Sequence, residues 1–228
     1  MGQVALSKQV EVQSDLFREP SAPAGFKYER DLVSPDEERA LVGGIACLPL
    51  AQFRFQGFLA KRRVAYFGWR YDFDRSRFEP TEPIPDFPLE LRSRAARFAG
   101  LRADDLPHAL VTEYAPGVEI GWHRDRPVFE DVIGISLGSE CTFRFRRKAG
   151  SKWERYALSA APRSVYLMRG ASRWAWEHSI PAVRDLRYSV TFRSLSQRQP
   201  LPPERPGCDQ AARRSSAADG GYCLGAFT

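Results

Sequence analysis

With 228 residues, 43% of them hydrophobic and 27% charged, the chain has material for one main domain with extensions rather than for two full domains. No apolar run approaches the roughly 20 residues that cross a bilayer as a helix, and MGQVALSKQVEVQSDLF lacks a charged-then-apolar signal pattern, so cytoplasmic residence without membrane contact is expected. A net charge of +6 favours a polyanionic partner, because Lys and Arg gain affinity by displacing counterions from phosphates, although many basic proteins bind no nucleic acid.

Residues 1–25 end in EPSAPAG and read as an N-terminal arm. In SPDEERALVGGIACL, Ser34 is placed as an N-cap, Pro35 as the first helical residue and Glu37 three residues past the cap, a capping box opening an amphipathic helix. Residues 52–73, QFRFQGFLAKRRVAYFGWRYDF, alternate and are rich in aromatics and arginine, which predicts two strands with an intervening loop. Such a segment suits stacking on bases with Arg62, Arg63 and Arg70 on phosphates, and equally a half-buried hairpin with a solvated basic face. The proline-braked PTEPIPDFP leads into a second helix, PLELRSRAARFAG, with Leu91, Ala95 and Phe98 on one face and Gly100 as its stop. From His108 to Leu195 the chain is a series of short β-type runs, HALVTEY, APGVEIGWH, VIGISL, CTFRFRR, WERYAL, SVYLM, WAWEH and LRYSVTF, which implies an antiparallel sandwich or barrel. Residues 198–228 are poor in apolar side chains and read as a disordered tail. Cys47, Cys141, Cys208 and Cys223 have no CxxC spacing and read as free thiols.

Three stretches carry chemistry. In a strand His123 and Asp125 of GVEIGWHRDRP project to one side with Arg124 turned away. Alone this is a weak signal, matched by a plain His–Asp hydrogen bond. His178 in RWAWEHSIP brings a second imidazole if the sheet rolls over on itself, and two histidines with one carboxylate on one face of a metal are the arrangement of non-heme Fe(II) oxygenases. His108 has no partner in view and reads as structural or surface. In RYSVTFR, Arg187, Ser189, Thr191 and Arg193 share a face. Two inward arginines call for anions, and a dicarboxylate co-substrate meets that need; two solvated arginines on an edge strand are the alternative. Their Cα atoms stand about 20 Å apart along a straight strand, so they lean inward or one of them serves a nearby carboxylate, Asp125 being such a neighbour of Arg193.

Together EYAPG, WHRD, ISLGS, EHS and RYSVTFR, spread over residues 108–195, resemble the AlkB family of Fe(II)- and 2-oxoglutarate-dependent dioxygenases. The resemblance implies that His123, Asp125 and His178 hold iron, that Arg187 binds the distal carboxylate of 2-oxoglutarate with Arg193 near its metal-bound end, and that Tyr114 hydrogen-bonds the co-substrate. Thr112 and Ser189 stand where the family often has asparagine, and both keep a hydrogen-bonding group. The implied fold is α+β but mainly β: a double-stranded β-helix (jelly roll) over residues 108–197, braced by N-terminal helices, with residues 26–107 supplying helical support and a nucleotide-recognition lid. Arg63, Tyr66, Trp69 and Tyr71 are the substrate contacts expected from that lid. Pro127 replaces the acidic residue that DNA-repairing members tend to carry two places after the metal aspartate.

The implied function is oxidative demethylation of alkylated bases in single-stranded DNA or RNA by a monomer, using Fe(II), 2-oxoglutarate and O2 and releasing formaldehyde, succinate and CO2. A base must leave its stack for such chemistry. The same chemistry on a protein side chain, a modified tRNA nucleoside or a small molecule is the alternative, and a non-catalytic nucleic-acid-binding module a further one.

Overall fold

The computed structural model describes residues 21–55, 58–72 and 77–196, so most of the expected arm and the whole of the expected tail lie outside the described residues. Two locally encoded helices set the frame. The Ser34 N–H donates to the Glu37 carboxylate at 2.7 Å and the Glu37 N–H donates to Ser34 Oγ at 3.3 Å, opening α1 (Pro35–Ala46) as the capping box requires. Helix α2 (Leu89–Ala99) ends at Gly100, whose φ of 68° is the left-handed stop that glycine adopts without penalty. Leu41 and Ile45 from α1 and Leu91, Ala95, Ala96 and Ala99 from α2 are buried on one layer of core.

The strands are β1 (Phe26–Glu29), β2 (Ala51–Phe55), β3 (Phe58–Phe67), β4 (Trp69–Asp72), β5 (Arg77–Pro80), β6 (His108–Tyr114), β7 (Ile120–His123), β8 (Phe129–Leu137), β9 (Cys141–Ala149), β10 (Lys152–Ala160), β11 (Val165–Met168), β12 (Glu177–Ile180) and β13 (Arg187–Leu195). They form a seven-stranded sheet in the order β1-β11-β8-β13-β6-β3-β2, a four-stranded sheet in the order β10-β9-β12-β7, and the separate hairpin β4-β5. The pairings whose direction is resolved are antiparallel throughout. This is the jelly roll expected, mainly β and braced by helices.

Some boundaries differ from expectation. The segment 52–73 yields strands β2, β3 and β4 rather than two, because Gly68, at φ 75° and with no room for a Cβ beside the Pro107 carbonyl, turns the chain. In APGVEIGWH only Ile120–His123 is strand, and in WAWEH a short helix α3 (Ala171–Trp174) precedes β12. Gly134 sits in β8 where an added Cβ would lie 2.2 Å from the Tyr166 ring, so its missing side chain is the space that ring occupies.

Candidate active site

Antiparallel pairing of β7 with β12 sets His123 directly opposite His178, and the two imidazole centroids lie 4.2 Å apart. Asp125 follows two residues past the end of β7, outside regular structure, with Oδ2 3.6 Å from His178 Nε2. His123 Nδ1 is engaged by the Gly121 carbonyl at 2.8 Å, which fixes the ring and turns its other nitrogen away from that carbonyl. Burial depresses both imidazoles, His178 down to about 3, with His123 beside it adding to the effect. Burial works to raise the Asp125 carboxyl, but Arg193 and the two imidazoles overcome it and hold the group well below the usual carboxylate range.

Two neutral imidazoles and an ionised carboxylate are the protonation states in which all three can donate lone pairs to a divalent ion. Adjacent donors on one first-row metal ion stand about 3 Å apart. Among the described residues no three His, Cys, Asp or Glu side chains close on one point as they stand, and Asp125 Oδ1 is held by Arg193 at 2.8 and 3.0 Å. The donor chemistry, two neutral imidazoles and one carboxylate, fits Fe(II).

On the opposite wall β13 carries Arg187, Ser189, Thr191 and Arg193, buried and on the expected common face. Its register with β6 places Arg187 opposite Tyr114, Ser189 opposite Thr112 and Arg193 opposite His108. Arg193 takes Asp125, one of the two outcomes left open by the spacing along the strand. Arg187 is 1% exposed, donates from Nε to Ser136 Oγ at 3.1 Å, and lies 5.0 Å over the Tyr114 ring. Its Nη1 has no hydrogen-bond partner. A buried guanidinium with an orphaned donor has capacity for an anion such as a carboxylate, but Arg187, unlike Ser189, Thr191 and Arg193, is not among the residues that line the cavity.

Between these walls is a cavity of about 940 Å³, lined among others by His123, Asp125, His178, Thr112, Tyr114, Ser189 and Arg193. Tyr66 and Tyr71 of the expected lid line it too, and burial pushes the Tyr66 hydroxyl up to about 12. Arg126 lies 4.5 Å over the Tyr71 ring. Two expected contacts do not reach it. Arg63 points to the other face of β3 and makes a bidentate pair with Glu113 at 2.7 Å, while its neighbour Arg62 lines the cavity, stacked 4.0 Å over Phe53. Trp69 stacks on Phe78 at 5.0 Å, and Phe78 in turn meets Phe129 of the cavity wall edge-on, one layer behind the surface.

Sequence reasoning read His108 as structural or surface and passed over Arg173. His108 is 1% exposed in the cavity wall, its ring 4.5 Å from Phe129 and its Nδ1 3.5 Å from Arg193 Nη1. Arg173, in the undetected α3, is 2% exposed and donates to the Arg126 and Phe129 carbonyls at 2.6 and 2.8 Å, pinning the segment that follows Asp125.

The 2OG-Fe(II) oxygenase superfamily matches residues 53–198 of this chain. The tRNA (carboxymethyluridine(34)-5-O)-methyltransferase alkbh8 of Xenopus tropicalis is 30% identical over 71% of this chain and 26% of its own length. The Alkylated DNA repair protein ALKBH8 homolog of Arabidopsis thaliana is 31% identical over 54% of this chain and 42% of its own. The chain thus spans less than half the length of these relatives. The solved structure of OsALKBH1 shares the fold, with a TM-score of 0.57 at 15% identity over 77% of this chain and 99% of that one.

Proposed function

Because the chain belongs to the AlkB family of the 2OG-Fe(II) oxygenase superfamily, we propose that it is a 2-oxoglutarate-dependent dioxygenase acting on an alkylated or otherwise modified base of single-stranded nucleic acid, RNA first. The observation that carries this reading is the cross-strand pair His123–His178 with Asp125 beside it, facing a wall that ends in Arg193 and Arg187. The preference for RNA is supported by a relative named for tRNA modification.

Fe(II), when bound, supplies the redox chemistry by which O2 oxidises a substrate C–H bond while 2-oxoglutarate is converted to succinate and CO2. His123, His178 and Asp125 would hold it, the carboxylate kept ionised and aimed by Arg193. Arg187 would take the distal carboxylate of 2-oxoglutarate, with Tyr114, Thr112 and Ser189 offering hydroxyls along its length. Tyr66, Tyr71 and Phe129 give the base an aromatic berth and exclude water from it, and fixing the target C–H near the metal is the protein's main contribution to rate. Pro127 lines the cavity without offering a polar group, so base recognition falls to Tyr71, Arg62 and the neighbouring backbone. On an N-methyl group the hydroxylated product loses formaldehyde and restores the base.

The test is formaldehyde and succinate release by the Fe(II)-loaded protein with single-stranded RNA and DNA carrying 1-methyladenine or 3-methylcytosine, with His178→Ala as control. Release from RNA that the control abolishes is expected. Absence of both products, including with modified tRNA, would reject the reading.

A further inference from the structure

The outer face of the four-stranded sheet carries an interleaved row of cations and indoles that the site chemistry leaves unused. Alternation along β9 turns Phe143 and Phe145 inward and Arg144, Arg146 and Lys148 outward. Trp122 of β7 and Trp153 of β10 face the same way. Arg146 is sandwiched with its Cζ 4.5 Å over the Trp122 ring and 4.6 Å over the Trp153 ring, and Arg144 lies 5.0 Å over Trp122. Lys148 reaches 5.9 Å over Trp153, and Trp153 is 37% exposed, a large aromatic surface left to solvent.

Internal stability does not account for this arrangement. The β9–β10 register sets Arg146 directly opposite Arg155, and like charges in that position cost stability. Among the described residues the one carboxylate within ion-pair reach of the row is Glu177, which takes Arg146 at 2.7 Å and Arg124 at 3.7 Å. Lys148, Lys152 and Arg155 are exposed and make no ion pair among the described residues. Such a row fits a polyanion, and exposed indoles between the cations fit one with bases to stack. The row is also continuous with the cavity, since Trp122 and Arg124 line its mouth.

We propose that this face is the track for single-stranded RNA flanking the base held in the cavity: phosphates meet Arg144, Arg155 and Lys148, and a neighbouring base stacks on Trp153. The assignment rests on the oxygenase reading for its substrate, but the surface can be tested without turnover. Binding of a fluorescein-labelled unmodified oligouridylate to the full chain, followed by anisotropy across a salt series, is compared for wild type, Trp153→Ala and Lys148→Ala/Arg155→Ala. Trp153→Ala is expected to weaken binding by about 5- to 150-fold, the range of one lost base stack. The double variant should lower the slope of log K against log salt by about 1.4, two phosphate contacts on a single strand. These side chains are exposed, and matching thermal melts will show that the variants fold. Succinate formation with a modified free nucleoside should be unchanged in all three. Wild-type binding and salt slope in both variants would overturn the proposal, as would preference for duplex RNA or for single-stranded DNA. Loss of binding in the variants upholds it even if wild type forms no succinate, a result that would reject only the oxygenase reading.

Discussion

Along β13 of the seven-stranded sheet the inward side chains are polar and those facing the helices are apolar, while Val64, Leu110, Phe129 and Val132 of neighbouring strands add apolar lining to the cavity. In β13, Arg187, Ser189, Thr191 and Arg193 look inward, while Tyr188, Val190 and Phe192 join Leu41, Ile45, Leu91 and Ala95 of the helices in one core. On the four-stranded sheet the alternation runs the other way: Cys141, Phe143 and Phe145 look inward and cations look out. The polar face of β13 therefore looks onto a largely apolar wall, into which β12 and β7 set the two histidines side by side. The large sheet can present polar groups inward because its stability comes from its outer layer against the helices, whereas the small sheet has only its inner face to bury.

That division makes the inner face of β13 the place where single changes cost most. Asp125→Ala leaves the Arg193 guanidinium buried and without its carboxylate, and is expected to destabilise the metal-free protein by about 3–5 kcal/mol in urea unfolding. Asp125→Ala/Arg193→Met should recover most of the loss. If the single and double variants unfold alike, the pair is not what holds the wall together.

Arg187 sharpens the contrast, because it is buried as deeply but only half satisfied. Replacement by Met removes an orphaned donor, so stability should hold or rise, while the KM for 2-oxoglutarate climbs by about 10- to 100-fold with the loss of a charge-assisted contact. Steady-state kinetics against 2-oxoglutarate, paired with a thermal melt, reads both. A lower melting temperature with unchanged KM would make Arg187 a structural residue.

The apolar contribution to the cavity is tested at Gly134. An added Cβ would lie 2.2 Å from Tyr166, a ring packed between β8 and β9. Gly134→Ala should cost about 1–3 kcal/mol through overpacking, and Gly134→Ala/Tyr166→Leu should return part of it. Urea midpoints at constant slope are the measurement.

How much of this was legible in the sequence depends on how far each contact reaches along the chain. The capping box of α1, the glycine stop of α2 and the common face of Arg187, Ser189, Thr191 and Arg193 are set by neighbours a few residues apart, and all stand as read. The grouping of His123, Asp125 and His178 was legible because alternation and strand pairing bring rings to one face whatever the loops do. Parity at β3 was not: whether Arg62 or Arg63 enters the cavity is decided by the register that sets Arg63 opposite Glu113, 50 residues away. Trp69 was misplaced for a similar reason, since its partner Phe78 lies on the other strand of the β4–β5 hairpin. Arg173 was missed because a four-residue helix has too few turns to show a period, and its acceptors are backbone carbonyls that carry no sequence signal.

The smallest expected effect lies in the helical layer behind the large sheet. Glu37 accepts the Ser34 N–H and also both terminal nitrogens of Arg94 in α2, at 3.1 and 2.6 Å, so one carboxylate caps α1 and ties it to α2. The Arg94 bonds, with the Ser34 N–H, hold this carboxyl at about 2, below its ordinary 4.5. A carboxyl depressed on folding adds stability that is full above the unfolded value and is lost as pH falls from 4.5 towards 2. Glu37→Gln keeps an acceptor for the cap but removes the charge. Its unfolding curve should therefore lie slightly below wild type at pH 7, and the gap should shrink as pH falls and close below pH 2, where the wild-type side chain is itself neutral. Because the pair is open to solvent, added salt should narrow the gap at pH 7. A gap that persists unchanged at pH 2 would mean that Glu37 acts through the shape of its cap and not through its charge, and the coupling of α1 to α2 would then rest on the apolar contacts of Leu41, Ile45, Leu91 and Ala95 alone.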